Sequence, residues 1–171
     1  MSLARNFLEE FEEQVPVTRK YLERVPEGRL TWKPHEKSMT AGQLALHIAR
    51  VPGGVVLAVQ QDTLTLPDFR NAGPQPASVR EILETFEESV KTVRSVLPQF
   101  DDARMQAPFR LMQGEKELTT WRREQFLRDI MLNHWYQHRG QFAVYLRLLD
   151  VAVPASWGPS ADEPPNFVRN R

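Results

Sequence analysis

The 171-residue chain contains no cysteine. That absence excludes a disulfide framework, a thiolate metal site and a cysteine nucleophile. Any metal must then be held by nitrogen or oxygen. An excess of one charge is missing too: Lys+Arg and Asp+Glu both number 22. Dedicated binders of nucleic acid or of anionic membrane surfaces carry a basic excess, so neither partner is expected. No apolar run approaches the roughly 20 residues of a membrane span. Met1 to Glu10 carries acids and lacks the apolar centre of a signal peptide. The expectation is a soluble cytoplasmic protein. Hydrophobic residues, at 41%, suffice for a core, and the length fits one domain over 1–171.

Helical periodicity dominates. Leu3, Phe7, Phe11, Val15, Tyr21 and Leu22 recur at three- and four-residue steps, which predicts a helix from about Ser2 to Val25 with a kink or break at Pro16. Thr40-Ala41-Gly42-Gln43 has the form of a capping box. It opens a second helix to about Gln61, with the stripe Leu44, Ile48, Val51, Val55 and Ala58. Pro52-Gly53-Gly54 implies a kink there, or a full break. Leu64 to Ala77 reads as a loop. Ser78-Val79-Arg80-Glu81 opens a third helix to about Leu97, and Pro98 stops it. Weak alternation between Gln99 and Leu118, around Gln113-Gly114, suggests a short hairpin. The longest helix is expected from Thr119 or Thr120 to Leu149, and the tail from Val151 to be extended, broken by Pro154, Gly158, Pro159, Pro164 and Pro165. Four such helices suggest an all-α four-helix bundle; pattern alone leaves up-down-up-down and up-down-down-up both open.

Only four histidines are present. The apolar stripe of the last helix is Leu127, Ile130, Met131, Phe142, Tyr145, Leu148 and Leu149; His134 follows Ile130 by four residues and Met131 by three, and His138 precedes Phe142 by four. The two imidazoles therefore lie one turn apart near the apolar seam of the last helix. His47 sits three after Leu44 and four before Val51, near the seam of the second helix. His35 lies in a polar loop among Lys33, Glu36 and Lys37 and reads as exposed. A buried imidazole left unpaired costs about 1–3 kcal/mol. One shared cation removes that cost for His47, His134 and His138 together, and neutral imidazole is a common ligand for zinc, nickel, copper and iron. The other reading is three ordinary hydrogen-bonded core histidines. His134-Trp135-Tyr136-Gln137-His138 puts tryptophan where the zinc-protease motif has its glutamate, so that chemistry is not expected.

The chain resembles the DinB/YfiT-like superfamily of small, mostly bacterial helical proteins. The resemblance rests on Trp32-Lys33-Pro34, Ser38-Met39-Thr40 and Gln43 to Ala49; on His134-Trp135-Tyr136-Gln137-His138-Arg139-Gly140-Gln141; and on Val153-Pro154 with Trp157-Gly158-Pro159-Ser160-Ala161-Asp162-Glu163. Trp157 stands where many members have tyrosine. The resemblance implies an up-down-down-up bundle with a long crossover. It implies one divalent metal ion, nickel or zinc, on a histidine triad that maps to His47, His134 and His138. It also implies a homodimer and, in the wider superfamily, transfer or isomerisation that depends on low-molecular-weight thiols.

Three functions follow as expectations. The first is a metal-dependent transferase, isomerase or hydrolase for a small molecule. Asn133, Gln137 and Gln141 are then candidates to orient the ligands, Trp135, Tyr136 and Trp157 are candidate pocket aromatics, and no general base is evident. The second is a non-catalytic metal-binding stress-response protein. The third, DNA binding through Arg122, Arg123 and Arg128, is disfavoured by the interleaved Glu124 and Asp129.

Overall fold

The computed structural model describes residues 2–66 and 73–164. Four long helical segments carry the fold. They are α1 (Leu3–Leu22), α2 (Ala41–Ala58), α3 (Val79–Val96) and a continuous segment made of α5 (Arg123–Phe126), a π-helical stretch (Leu127–Asn133) and α6 (His134–Leu148). A short helix, α4 (Asp102–Gln106), precedes the strands β2 (Pro108–Gln113) and β3 (Lys116–Arg122), and β1 (Thr63–Thr65) follows α2.

Cross-contacts fix the helix directions. Glu12 meets Arg94 and Arg19 meets Glu87, so α1 and α3 are antiparallel. Gly42 lies against Gln75 and Pro76 just before α3, and Gly53 lies against Ser89, so α2 and α3 are parallel. Tyr145 bonds the Met39 carbonyl and Trp135 the Ile48 carbonyl, so α6 runs against α2. Phe11 stacks on Trp135 while Thr18 meets Arg139, so α6 runs with α1.

Helix α2 is the central element. Its 18 residues are apolar enough to span a membrane, yet two-thirds of the segment is buried inside the protein. The Thr40 box forms as expected: Thr40 Oγ1 accepts from the Gln43 N–H, and Gln43 Oε1 accepts from the Thr40 N–H. Pro52 does not break the helix. Gly53 is required because a Cβ there would stand 2.9 Å from the Ser89 Cα. Its N–H donates to Ser89 Oγ at 2.8 Å.

The all-α expectation is corrected by a three-stranded sheet of order β1-β2-β3. The expected hairpin is β2–β3, antiparallel with a register shift between Leu111 and Met112. Gly114 has φ +59° in its turn, a conformation glycine adopts without strain. Two boundaries differ from expectation. β1 overlaps the start of the stretch read as a loop from Leu64 to Ala77 and pairs parallel with β2. Residues 67–72 of that stretch lie outside the described residues. The last helix starts at Arg123, because Thr119, Thr120 and Trp121 pair with Leu111, Arg110 and Phe109 as strand residues. Phe109 packs on Phe126 at 5.0 Å and joins sheet to helix.

Arg123 is 1% exposed. Its guanidinium donates to the carbonyls of Val59, Pro108 and Gln61 and to the Asp62 carboxylate, which locks the end of α2 to the hairpin. The tail is irregular through residue 164 but anchored; 165–171 lie outside the described residues. Asp162 meets Arg147 and the Val153 N–H, and Glu163 meets Arg24 and the Ala155 N–H.

Candidate metal centre

His47 comes from α2, and His134 and His138 from the first two turns of α6. The structure brings all three together. One ring nitrogen from each lies within 4.8 Å of the others. His47 Nε2 and His134 Nε2 are 3.0 Å apart. At that distance one ring can donate to the other, or both lone pairs can face one cation; two ligand nitrogens of tetrahedral zinc are roughly 3.3 Å apart. The rings meet edge to face, with interplanar angles of 84–88°.

Proline and tryptophan set the register that makes this possible. Pro52 has no N–H, so the Ile48 carbonyl, four residues earlier, lacks its helical donor. The buried Trp135 indole N–H donates to that carbonyl at 2.9 Å. Ile48 follows His47 and Trp135 follows His134, so this bond fixes the two helices next to the triad. Stacking of Trp135 on Phe11 holds the indole from the other side.

The π-helical stretch ends at Asn133, directly before the triad. Wider π turns shift the phase of a helix face, and such insertions recur at functional sites. Here Leu132 is buried, though it was absent from the stripe read from sequence, and Leu148, assigned to the stripe, is 56% exposed.

His138 Nδ1 lies 2.9 Å from Gln141 Oε1. A carbonyl oxygen only accepts, so Nδ1 carries the proton and Nε2 keeps its lone pair. That is the usual way a ligand histidine is oriented. Burial, helped by His138, His134 and Arg50, lowers the His47 pKa to about 4. Burial, then His138, also lowers that of His134. Both rings are therefore neutral at pH 7, the form that binds metals. The donor set fits a borderline divalent cation such as zinc or nickel. The cluster contains no carboxylate among the described residues.

Gln141 is thus the one candidate orienting residue that meets the triad. Asn133 donates to Asp129 instead, and Gln137 is exposed. Trp135 is core. Tyr136 donates to Glu10, and Trp157 is exposed and donates to Gln14. His35 is exposed, as read. The basic stretch is committed elsewhere: Arg122 to Glu124, Arg123 to Asp62, Arg128 to Glu10. Sequence reasoning missed Arg50, one turn after His47, because a surface arginine on a helix has no signature.

Residues 10–142 match the DinB superfamily. A DinB-like protein from Bacillus cereus ATCC 10987 has a similar structure. The TM-score is 0.69 at 20% identity, over 89% of this chain and 96% of that one. A DinB-like protein from Bacillus subtilis gives 0.66 at 17% identity, over 87% and 95%. At such identities these likenesses show the fold alone. No curated protein matches the chain. The family match includes all three clustered histidines, and the chain belongs to the DinB superfamily.

Proposed function

We propose that this chain is a divalent-metal-dependent enzyme acting on a small molecule, with zinc or nickel held by His47, His134 and His138. The observation that carries the reading is the convergence of three imidazoles from two helices, with no fourth protein ligand in the cluster among the described residues. Three protein ligands leave positions open for a substrate, the arrangement of catalytic sites rather than structural ones. An ion held there supplies Lewis acidity and lowers the pKa of a water or thiol it binds.

The chain's own residues supply the rest. The Trp135–Ile48 bond holds the two ligand-bearing helices in register. Gln141 fixes the tautomer of His138. Thiol-dependent transfer or isomerisation, or hydrolysis of a small electrophile, are the reactions this arrangement suits. A homodimer and a cytoplasmic location belong to the same proposal.

A second reading is a non-catalytic metal-binding stress-response protein. It is favoured by one observation: the cluster holds no carboxylate to move a proton. Metal analysis of the purified protein, with turnover of thiol and electrophile panels by the wild type and the three His→Ala variants, separates the two. The enzyme reading expects about one ion per chain and loss of turnover in every variant. Stoichiometric metal without turnover would favour the second reading. Absence of metal uptake would remove both.

A further inference from the structure

Beyond the end of α2, three guanidinium groups share one carboxylate. Arg123, which is buried, and Arg104, from the last turn of α4, both reach Oδ1 of Asp62. Arg110, on β2, is exposed, and its guanidinium has no hydrogen bond or ion pair among the described residues. These four side chains line one cavity of about 510 Å³, together with Pro108 and Thr120.

The local fold aims the groups. Strand alternation in β2 buries Phe109 and Leu111 and turns Arg110 outward. The register sets Thr63 on one side of Arg110 and Thr120 on the other, and the Arg110 N–H donates to the Asp62 carbonyl at 3.0 Å. Arg123 forms the buried wall. Three carbonyls and Asp62 occupy its donors, so it contributes charge more than free N–H groups. Glu117 accepts from Thr120 Oγ1 and pairs with no arginine among the described residues.

Three positive groups against one carboxylate leave an excess of two positive charges in the cavity. A cleft of one sign concentrates ions of the other. A single carboxylate would cancel half of that excess. A phosphate group, with a second pKa near 6, carries almost two negative charges at neutral pH and cancels it. Guanidinium forks match its oxygens through paired N–H bonds. The volume falls within the roughly 300–1,000 Å³ of small-molecule sites.

We propose that this cavity binds a dianionic phosphate group, free or carried by a small molecule, with Arg110 and Arg104 as its donors and Arg123 as the fixed charge behind them. The site is separate from the metal centre: His47 lies in the first half of α2, and none of the three clustered histidines lines the cavity.

The test is calorimetric titration of the full chain, stripped of metal by a chelator that is then dialysed away. Stripping keeps phosphate from binding through an ion on the histidines. Inorganic phosphate and phenyl phosphate are titrated at pH 7.5, with chloride holding the ionic strength constant. The wild type is expected to bind at least one of them with a Kd of about 1 mM or below. Tighter binding of phenyl phosphate assigns the site to a phosphate ester, and equal or tighter binding of inorganic phosphate to the free ion. Arg110→Ala removes no contact that holds the fold, and is expected to weaken binding at least about tenfold with Tm unchanged. His47→Ala is expected to bind as the wild type does. So is Arg80→Ala, which removes an exposed arginine of α3 outside the cavity. Failure of the wild type to bind either probe would overturn the proposal. So would wild-type affinity in Arg110→Ala, or an equal loss in Arg80→Ala, which would mark diffuse surface charge.

Discussion

At the scale of single residues, the triad combines proton-poor histidines with one defined tautomer. The lowered pKa of His47, due mainly to burial, has a sign that can be worked out. The unfolded chain takes up a proton near the ordinary value of about 6.5, the folded chain only near about 4. Between these values the unfolded state binds more protons, so stability falls as pH falls. It is complete above about 6.5. Melting of metal-free protein from pH 7.5 to 4.5 is expected to show this loss. His47→Gln is expected to flatten the curve in part, because His134 is shifted the same way. An unaltered slope would mean that His47 is not held neutral by burial. Gln141 gives a second test. It is exposed, so Gln141→Ala costs little stability, yet it frees the His138 ring. Loss of such an orienting bond weakens metal binding about 10- to 100-fold. Zinc competition titration checks it, and wild-type affinity would count against the assigned tautomer. Much of this was legible beforehand. Three histidines at helical spacing from apolar neighbours are readable without coordinates. The Gln141 bond was readable only as a candidate, since spacing places a side chain on a face but does not aim it.

At the scale of elements, the unusual feature is a proline that improves an interface. Pro52 removes a helical donor, and Trp135 supplies its own to the stranded carbonyl. Trp135→Phe leaves that buried carbonyl unpaired, at a cost of about 1–3 kcal/mol. Pro52→Ala returns a backbone N–H to it. A double-mutant cycle measured by urea unfolding subtracts the gain from removing a helical proline and the loss of indole packing. The expected outcome is a coupling in which Pro52→Ala recovers at least half of the Trp135→Phe deficit. Additive effects would show that the indole bond carries no specific weight. The interruption at Pro52 was visible in the sequence; its consequence was not, because the partner lies 87 residues away. The misread elements have similar causes. β1 has three residues and α4 five, too short for any period to show. Thr119 and Thr120 resemble a helix start when read locally, and the opposing strand decides otherwise. The π-helical stretch breaks the 3.6-residue count itself, which is why Leu132, five residues after Leu127, was overlooked.

At the scale of the whole molecule, the triad joins elements that other contacts already hold from different sides. Helix α2 packs along α3 through Gly53 and Ser89, and the far end of α2 is clamped to the hairpin by Arg123. Helix α6 is held to α1 through Phe11, Thr18 and Glu10. The α2–α6 seam is the one the histidines cross. An ion bound there therefore stabilises the native arrangement specifically, since the unfolded chain does not bring His47 near His134. Linkage sets the size: free metal at one hundred times its Kd contributes about 2.7 kcal/mol. For a domain of this length each kcal/mol moves Tm by roughly 2–4 °C. Zinc or nickel should then raise Tm by about 5–10 °C at pH 7.5, and a chelator should reverse the rise. The His47→Ala, His134→Ala and His138→Ala variants should lose most of it, since two imidazoles retain the ion poorly. Equal shifts in all three variants and the wild type would place the stabilising ion elsewhere on the surface. The variants also separate a seam effect from a local one: loss of His47, the sole ligand from α2, should abolish the shift even though the pair on α6 remains intact.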